Sequence, residues 1–441
     1  MTVTTGSAPA PAPVPIPVPT TAPTRSAGVP TARAGTTARP GRLGRTPARL
    51  RVAMVVAVLA CAAVAVAGLV AGQSQSRALR SAASDTAQQV RALQVRNDLV
   101  AADATATNAF LVGGREPVDQ RARYDESLAS ATGGLTSVAG ADADDARLLG
   151  PVSTSVATYS GLVEQARANN RQGFPVGAAY LETASQELRD AALPGIDEVV
   201  AAGGGRVDDA FAVAGRAMLA LLVVGIALVV LVAVQVWLAS RTHRRLNGGL
   251  VLATLAVLVG GFGLGSVLDA GGRTASDVRD GSYAQVLAVA RAFSLANDAK
   301  AMESFTLIKR GSGQAFEQSY ASAVAEAETL LATPGADPVT VALFGSWADE
   351  HASIRALDDD GDWDGAVALA TSTDADSANA RFDAFTHAAQ EATTSSSDDT
   401  DRDLSRAAAS SARIAWVALV VGLLGGVLAV WGFGPRLKEY R

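Results

Sequence analysis

The sequence predicts an all-α membrane protein with four transmembrane helices and two tandem extracytoplasmic four-helix bundles. Three observations predict this. Apolar residues concentrate in four runs at 51–72, 217–240, 250–268 and 414–433. Basic residues gather in the segments joining alternate runs, and the two long intervening segments are alanine-rich, with turn residues at helical intervals.

Beyond Arg51 at the edge of the first run, none of the four contains a charge. A bilayer core about 30 Å thick needs roughly 20 apolar residues at about 1.5 Å rise each, so all four read as spans. The first run is too long for a signal-peptide core of about 7–15 residues and follows a 50-residue segment, so it reads as a retained anchor. Residues 1–50, rich in Pro, Ala, Thr, Gly and Arg, bury too little apolar surface to offset chain entropy and are expected to be a disordered cytoplasmic tail whose arginines suit anionic lipid.

Charge sets the expected orientation. The tail through Arg51, the loop 241–249 and the C-terminus 434–441 together carry thirteen basic residues and one acid, net +12. The two long segments carry 24 basic and 42 acidic residues, net −18. Basic segments stay in the cytoplasm, which puts both termini inside and residues 73–216 and 269–413 outside the cell membrane. The only cysteine, Cys61, lies in the first span, so neither outer segment has a disulfide or a thiolate metal site.

Turn residues divide each outer segment into four helical stretches. In the first they are Gly113-Gly114 with Pro117, Gly133-Gly134 through Gly140, and Gly173-Phe174-Pro175; in the second, Gly311-Ser312-Gly313, Pro334-Gly335 through Pro338, and Asp358 to Gly365. Val90, Leu93, Asn97, Val100, Ala104, Thr107 and Leu111 form a seam spaced alternately three and four apart, which presents one helix face to bundle neighbours. Asn97 on that seam suits a register-fixing role. An internal duplication is visible: Ala102-Asp103-Ala104 with Ala106 and Phe110 aligns with Asn297-Asp298-Ala299, Ala301 and Phe305 at constant offset. Pro194-Gly195 should kink or break the last helix of the first bundle, and no equivalent break is expected in the second.

Little in the sequence points to catalysis. His243, His351 and His387 are scattered, and no H-E-x-x-H, G-x-S-x-G or C-x-x-C pattern is present, so no catalytic, cofactor-binding or metal-ligating residue is assigned. Asp358, Asp359, Asp360, Asp362 and Asp364 resemble half of a calcium loop but lack its closing Glu, and read as a solvated turn. Gly261 with Gly265, and Gly422 with Gly426, have the small-xxx-small spacing that allows close helix packing in lipid. Arg91, Arg96, Arg291 and Lys300 on the first helices are candidates for contact with a carboxylate ligand. Arg241, His243, Arg244 and Arg245, with Arg436 to Arg441, are candidates for docking a cytosolic partner; the same charges also orient the spans.

From about Arg51 to Arg441, in span placement, two outer bundles and short basic inner segments, the chain resembles the GlnX-type four-span membrane proteins of actinobacteria. That resemblance implies a relay of aspartate or glutamate availability, through an extracytoplasmic solute-binding lipoprotein, to a cytosolic serine/threonine kinase, protein kinase G, that controls 2-oxoglutarate and nitrogen metabolism. Each half also resembles the periplasmic four-helix-bundle sensor of chemoreceptors, without their cytoplasmic signalling hairpin. The expected reading is a non-enzymatic transmembrane sensor or signal relay, with the alternative of an envelope scaffold. Expected partners are the lipoprotein, the kinase, membrane lipid and, in a homo-oligomer, a second copy; nucleic acid is not among them.

Overall fold

Four helical rods, each longer than a bilayer is thick, organise the molecule. The computed structural model describes residues 46–113, 116–173, 175–242 and 247–438. Most of the 1–50 tail, His243, Arg244, Arg245 and Arg441 therefore lie outside the described residues, as does the order or disorder of that tail. The rods span Ala48–Val112, Val176–Arg241, Gly248–Ile308 and Ala378–Pro435. At about 1.5 Å per residue each is roughly 90–100 Å long, so a rod crosses a bilayer and continues well beyond it.

In chain order, α1 (Thr46–Val112) is the first rod; α2 (Val118–Ala141) and α3 (Ala143–Arg171) connect it to the second. The second comprises α4 (Val176–Glu187), α5 (Leu193–Arg216) and α6 (Ala220–Thr242), joined by a π-helical turn at Leu188–Ala192 and a 3-10 turn at Ala217–Leu219. The third rod is α7 (Gly248–Val278) and α8 (Ala284–Ile308) around a π-helical turn at Arg279–Tyr283. α9 (Gln314–Leu331), α10 (Pro338–Asp359) and α11 (Trp363–Thr371) lead to the fourth, α12 (Ala378–Lys438). The described residues contain no strand.

Local chemistry explains the ends. Asp142 accepts from the backbone N–H groups of Asp144 and Asp145 and opens α3; Asp337 does the same for α10 through Thr340, and Asp362 for α11 through Gly365. Asp358 and Asp359 pair with Arg355, so the acidic run is divided between a cap and ion pairs. Gly113 and Gly173 take positive φ, 68° and 73°, at the turns after α1 and α3, where a side chain would be strained.

The apolar third of each rod forms a transmembrane bundle. Its core includes Cys61, Val64, Leu231, Val257, Leu264, Ala418 and Phe433. Val66, Val70, Ile226, Val229, Phe262, Leu423 and Val427 point outward and are exposed, as suits contact with lipid tails. Gly261 lies against the Val224 side chain and Gly265 against Leu221, which brings α7 onto α6. A Cβ on Gly422 would meet the Ala65 Cβ at 2.5 Å, whereas one on Gly426 would find only Val58, at 4.0 Å. The chain enters α7 through Asn247, whose amide donates to the Gly432 carbonyl of α12 at 2.9 Å.

Beyond the apolar bundle, the two halves share one core. It runs from Val95, Leu99 and Leu135 through Tyr159, Leu181 and Ile196 to Phe293, Phe305, Trp347 and Phe385. α1 and α8 lie at its centre, and from Val286 to Leu307 the helix α8 is buried on almost every face. This changes the meaning of the seam on α1. Its last residue, Leu111, packs with Leu307, Ile354 and Ala366 of the second half, and Arg96 beside it donates to Ser294. The end of the seam therefore faces the other half. Contacts of α1 with its own half include Val95 against Gly134, Asp103 against Ser185 and Phe110 against Gly177.

Three local expectations are corrected. Gly133-Gly134 does not interrupt α2: the helix runs through it, because the bare Gly134 face receives Val95 and the chain turns only at Asp142. The last stretch of the second half divides into α11 and α12 at a Ser/Asp turn where Asp374 N–H donates to Ser372 and Ser377 caps the new helix. The irregularity expected near Pro194 is present as a π-helical turn at Leu188–Ala192, while Pro194 itself sits in the first turn of α5, where its missing N–H costs little, and the rod continues. The second half does carry a break, at Gly281, with φ −108° and ψ −105° inside the third rod.

Candidate functional site

Where the rods leave the apolar bundle, one side chain ties all four together. Gln75 of α1 is fully buried. Its amide donates to the Ala214 carbonyl of α5 at 3.1 Å and to the Leu268 carbonyl of α7 at 2.8 Å, while Ser411 of α12 donates to its oxygen at 2.9 Å. Gly271 leaves the room: a Cβ there would meet the Gln75 Oε1 at 2.9 Å. A buried amide whose two N–H groups and oxygen are all engaged is costly to displace, so this level ties the four rods to one another.

About 21 Å further out, fourteen residues along α1, a second level repeats the device. Gln89 donates to the Val200 carbonyl of α5 at 3.0 Å and accepts from the Tyr283 hydroxyl at 2.6 Å, while Ser282 and Thr400 bond at 2.8 Å to bring in α12. Between the levels, Leu79, Ala82, Val207, Phe211, Val278 and Leu404 form an apolar collar. The neck of the molecule is thus two polar rungs around a greasy ring. Gln88 extends the outer rung into the first half by donating to Asp145 at 2.8 Å, and Arg206 also holds that carboxylate, at 2.9 Å.

Further out, the halves are joined by ions. Arg189 lies 2.9 Å from Asp103 and 3.4 Å from Asp298, so the duplicated aspartates of the two halves converge on one guanidinium. Burial works against the cation, but the two carboxylates overcome it and hold Arg189 more firmly protonated than usual. Burial raises Asp298, which Arg189 only partly offsets. Lys309 pairs with Glu182 on the same side.

A second buried network lies within the second half. Glu303, fully buried, accepts from Lys300 at 2.6 Å and meets His351 Nδ1 at 2.9 Å; His351 Nε2 reaches Glu317 at 3.1 Å, and Arg355 lies 3.5 Å from Glu317. The imidazole stacks on Tyr320 with centroids 3.6 Å apart. Burial opposes ionisation of Glu303, yet Lys300 and His351 hold its carboxyl down at about 2. Burial alone would lower His351, and the hydrogen bonds and charges of Glu303 and Glu317 raise it instead.

The residues singled out from sequence disperse. Arg91 is exposed and reaches only Gln88, at 3.4 Å; Arg291 is exposed; Arg96 is held by Asp197 at 2.9 Å and donates to Ser294; Lys300 is occupied by Glu303. They do not converge on one pocket. Asn97 is buried and its Oδ1 has no hydrogen-bond partner. Arg241 is exposed at the end of α6, while His243, Arg244 and Arg245 lie outside the described residues. Gln75 escaped sequence reading because a glutamine just past an apolar run looks like the ordinary exit into water, and Gln89 because it stands in a polar stretch beside Asp85, Thr86 and Gln88.

Residues 78–212 match the family model of the actinobacterial sensor domain. The match begins in the apolar collar of α1 and ends near the foot of α5, so it covers the first half of the extramembrane domain. No curated protein and no solved structure matches the chain. With a sensor-domain match on rods that carry four apolar helices long enough to cross a bilayer, the chain fits an actinobacterial sensor membrane protein.

Proposed function

We propose that the chain is a transmembrane signal relay that passes extracytoplasmic aspartate or glutamate availability, through a solute-binding lipoprotein docked on its outer domain, to a cytosolic serine/threonine kinase. The sensor-domain match supports the sensory part. The carrying observation is mechanical: the helices that build the outer domain are the same helices that cross the membrane, cross-linked at their exit by Gln75. Packed helices move between discrete arrangements, so a rearrangement of the outer core travels down the rods as a shift or rotation of about 1–2 Å.

The polarity of the relay follows from charge. Net +12 on the tail, the 241–249 loop and the C-terminus against net −18 on the two long segments favours basic ends inside. Arg241 with the following loop arginines and the C-terminal basic residues then form the surface offered to the kinase. The identities of the amino acid, lipoprotein and kinase rest on the resemblance to GlnX-type proteins.

A ligand moves an equilibrium only by its differential affinity for the two states. The test uses the full chain in nanodiscs with the binding lipoprotein, loaded with glutamate or empty. The relay requires the loaded form to bind more tightly by at least a few-fold. Equal affinity for loaded and empty forms would remove the relay and leave a scaffold that holds envelope components without signalling.

A further inference from the structure

The two seams between the halves differ. On one side Arg96, Arg189 and Lys309 reach across to Ser294, Asp298 and Glu182 respectively, or are reached from there, and the seam is closed. On the other, between α1 and α2 of the first half and α8 and α12 of the second, a cleft of about 640 Å³ stays open. Among the described residues the ion pair across it is Arg123 with Asp383, at 2.9 Å, and both partners are about half exposed. The volume falls in the range of about 300–1,000 Å³ usual for small-molecule sites.

The wall of this cleft has unmatched acceptors. Four carboxylates in the described residues are buried: Asp98, Asp103, Asp145 and Glu303. Asp103 has Arg189, Asp145 has Arg206 and Glu303 has Lys300. Asp98, 9% exposed and facing the cleft, has only neutral donors, Gln94 at 2.9 Å and the Ser130 hydroxyl. Burial raises its carboxyl above the ordinary range, with those two hydrogen bonds opposing. Gln120, 4% exposed on the same wall, spends its amide N–H on Asn108 at 3.0 Å, and its Oε1 is buried with no partner at all. Of the basic residues on the lining, Lys300 is committed to Glu303 and Arg123 to Asp383, and His387 stands on α12 in the other half.

A buried anion without a cation and a buried carbonyl without a donor call for a ligand rich in N–H groups and positively charged. We propose that the inter-half cleft binds a small solute through its protonated amine, with Asp98 as counter-ion and Gln120 as a second acceptor. The chemical class is a primary or secondary amine, which includes free amino acids and short polyamines. α1 and α12 both line the cleft and both continue into the membrane, so an occupant that fills it touches two rods from different halves. That consequence rests on the relay reading; the binding itself does not.

The experiment uses the full chain in nanodiscs without any partner protein, so its outcome is separate from the lipoprotein test. Glycine, glutamate, lysine, ethanolamine and putrescine are titrated calorimetrically, each beside its fully N-acetylated counterpart. The proposal expects at least one free amine to bind while its acetylated form does not, and Asp98→Asn to weaken that binding at least tenfold while the unliganded variant melts no lower than the parent. Should Asp98→Asn fail to fold, Gln120→Met carries the test, with an expected loss of several-fold. Absence of binding by every free amine, equal binding of acetylated forms, or undiminished affinity in the folded variant would each overturn the proposal.

Discussion

Replacing Gln75 with its isostere should harm the protein more than replacing it with leucine. In the parent, the amide donates to the Ala214 and Leu268 carbonyls and accepts from Ser411. Gln75→Leu forfeits three hydrogen bonds worth about 1 kcal/mol each net, recovers about half of that by apolar burial, and orphans little: the Ser411 hydroxyl turns to the Ala407 carbonyl instead, and the Leu268 carbonyl lies within α7. The expected loss is about 1–2 kcal/mol. Gln75→Glu keeps the shape but sets a carboxylate against two carbonyl oxygens in a fully buried position. It must take up a proton, which from an ordinary pKa of about 4.3 costs roughly 4 kcal/mol at pH 7, and the resulting acid makes only one of the two donations.

The sign is definite. The folded-state pKa of this glutamate is raised, so the penalty grows as pH rises above the unfolded value by about 1.4 kcal/mol per unit until the folded pKa is reached, and vanishes near pH 4. Melting of both variants in detergent, followed by tryptophan fluorescence from pH 4 to 8, reads it directly. The glutamate variant should melt well below the leucine variant at pH 7 and converge with it near pH 4. A glutamate variant as stable as the leucine one at pH 7, or a gap independent of pH, would refute the four-rod rung.

Other outcomes follow from the same geometry. Arg189→Met leaves Asp103 and Asp298 without their cation and should cost about 3–5 kcal/mol, most of it recovered by adding Asp103→Asn and Asp298→Asn; denaturant titrations of the three forms check the recovery. In the second half, Lys300 and Glu303 of α8, Glu317 and Tyr320 of α9 and Arg355 of α10 surround His351, whose raised pKa contributes stability that is complete below about 6.5 and lost as pH rises through the folded value. Glu303, held at about 2, contributes stability present above about 4.5 and lost as pH falls toward 2. His351→Gln should therefore flatten the alkaline side of the stability profile and Glu303→Gln the acid side, as measured by melting temperature against pH. In the membrane, Gly422→Val, which drives a side chain into Ala65, should cost more than 2 kcal/mol by overpacking, while Gly426→Val, with only Val58 at 4.0 Å, should cost less than 1 kcal/mol in the same assay.

Much of this architecture is legible without coordinates, for a physical reason. Spans announce themselves because lipid tolerates no charge along their length, and turns at Gly113, Gly173 and Gly311 because their positive φ excludes most other residues. The fusion of the halves is hidden, because α1 and α8 bury their second faces with alanine, which hydropathy weights only weakly, and with Asp98, Asp103, Asn108 and Asn297, which it scores as surface. The seam ending at Leu111 is therefore visible, but which neighbour its end faces is not. The same limit applies to the site. Lys300 looked available because its partner Glu303 is also hydrophilic, and only the fold shows that both are buried together, whereas Asp98 carried no signal beyond being one acid among many.

The most direct measurement of the central claim is the separation of the far ends of the α1 and α12 spans when the extramembrane domain changes state. Spin labels at Val52→Cys and Val430→Cys, both on exposed faces, in a Cys61→Ala background, report it by pulsed electron resonance on the full chain in nanodiscs. Addition of glutamate-loaded binding lipoprotein, and not of the empty form, should shift the distance distribution by about 1–2 Å. Identical distributions with saturating loaded lipoprotein bound would contradict transmission along the rods.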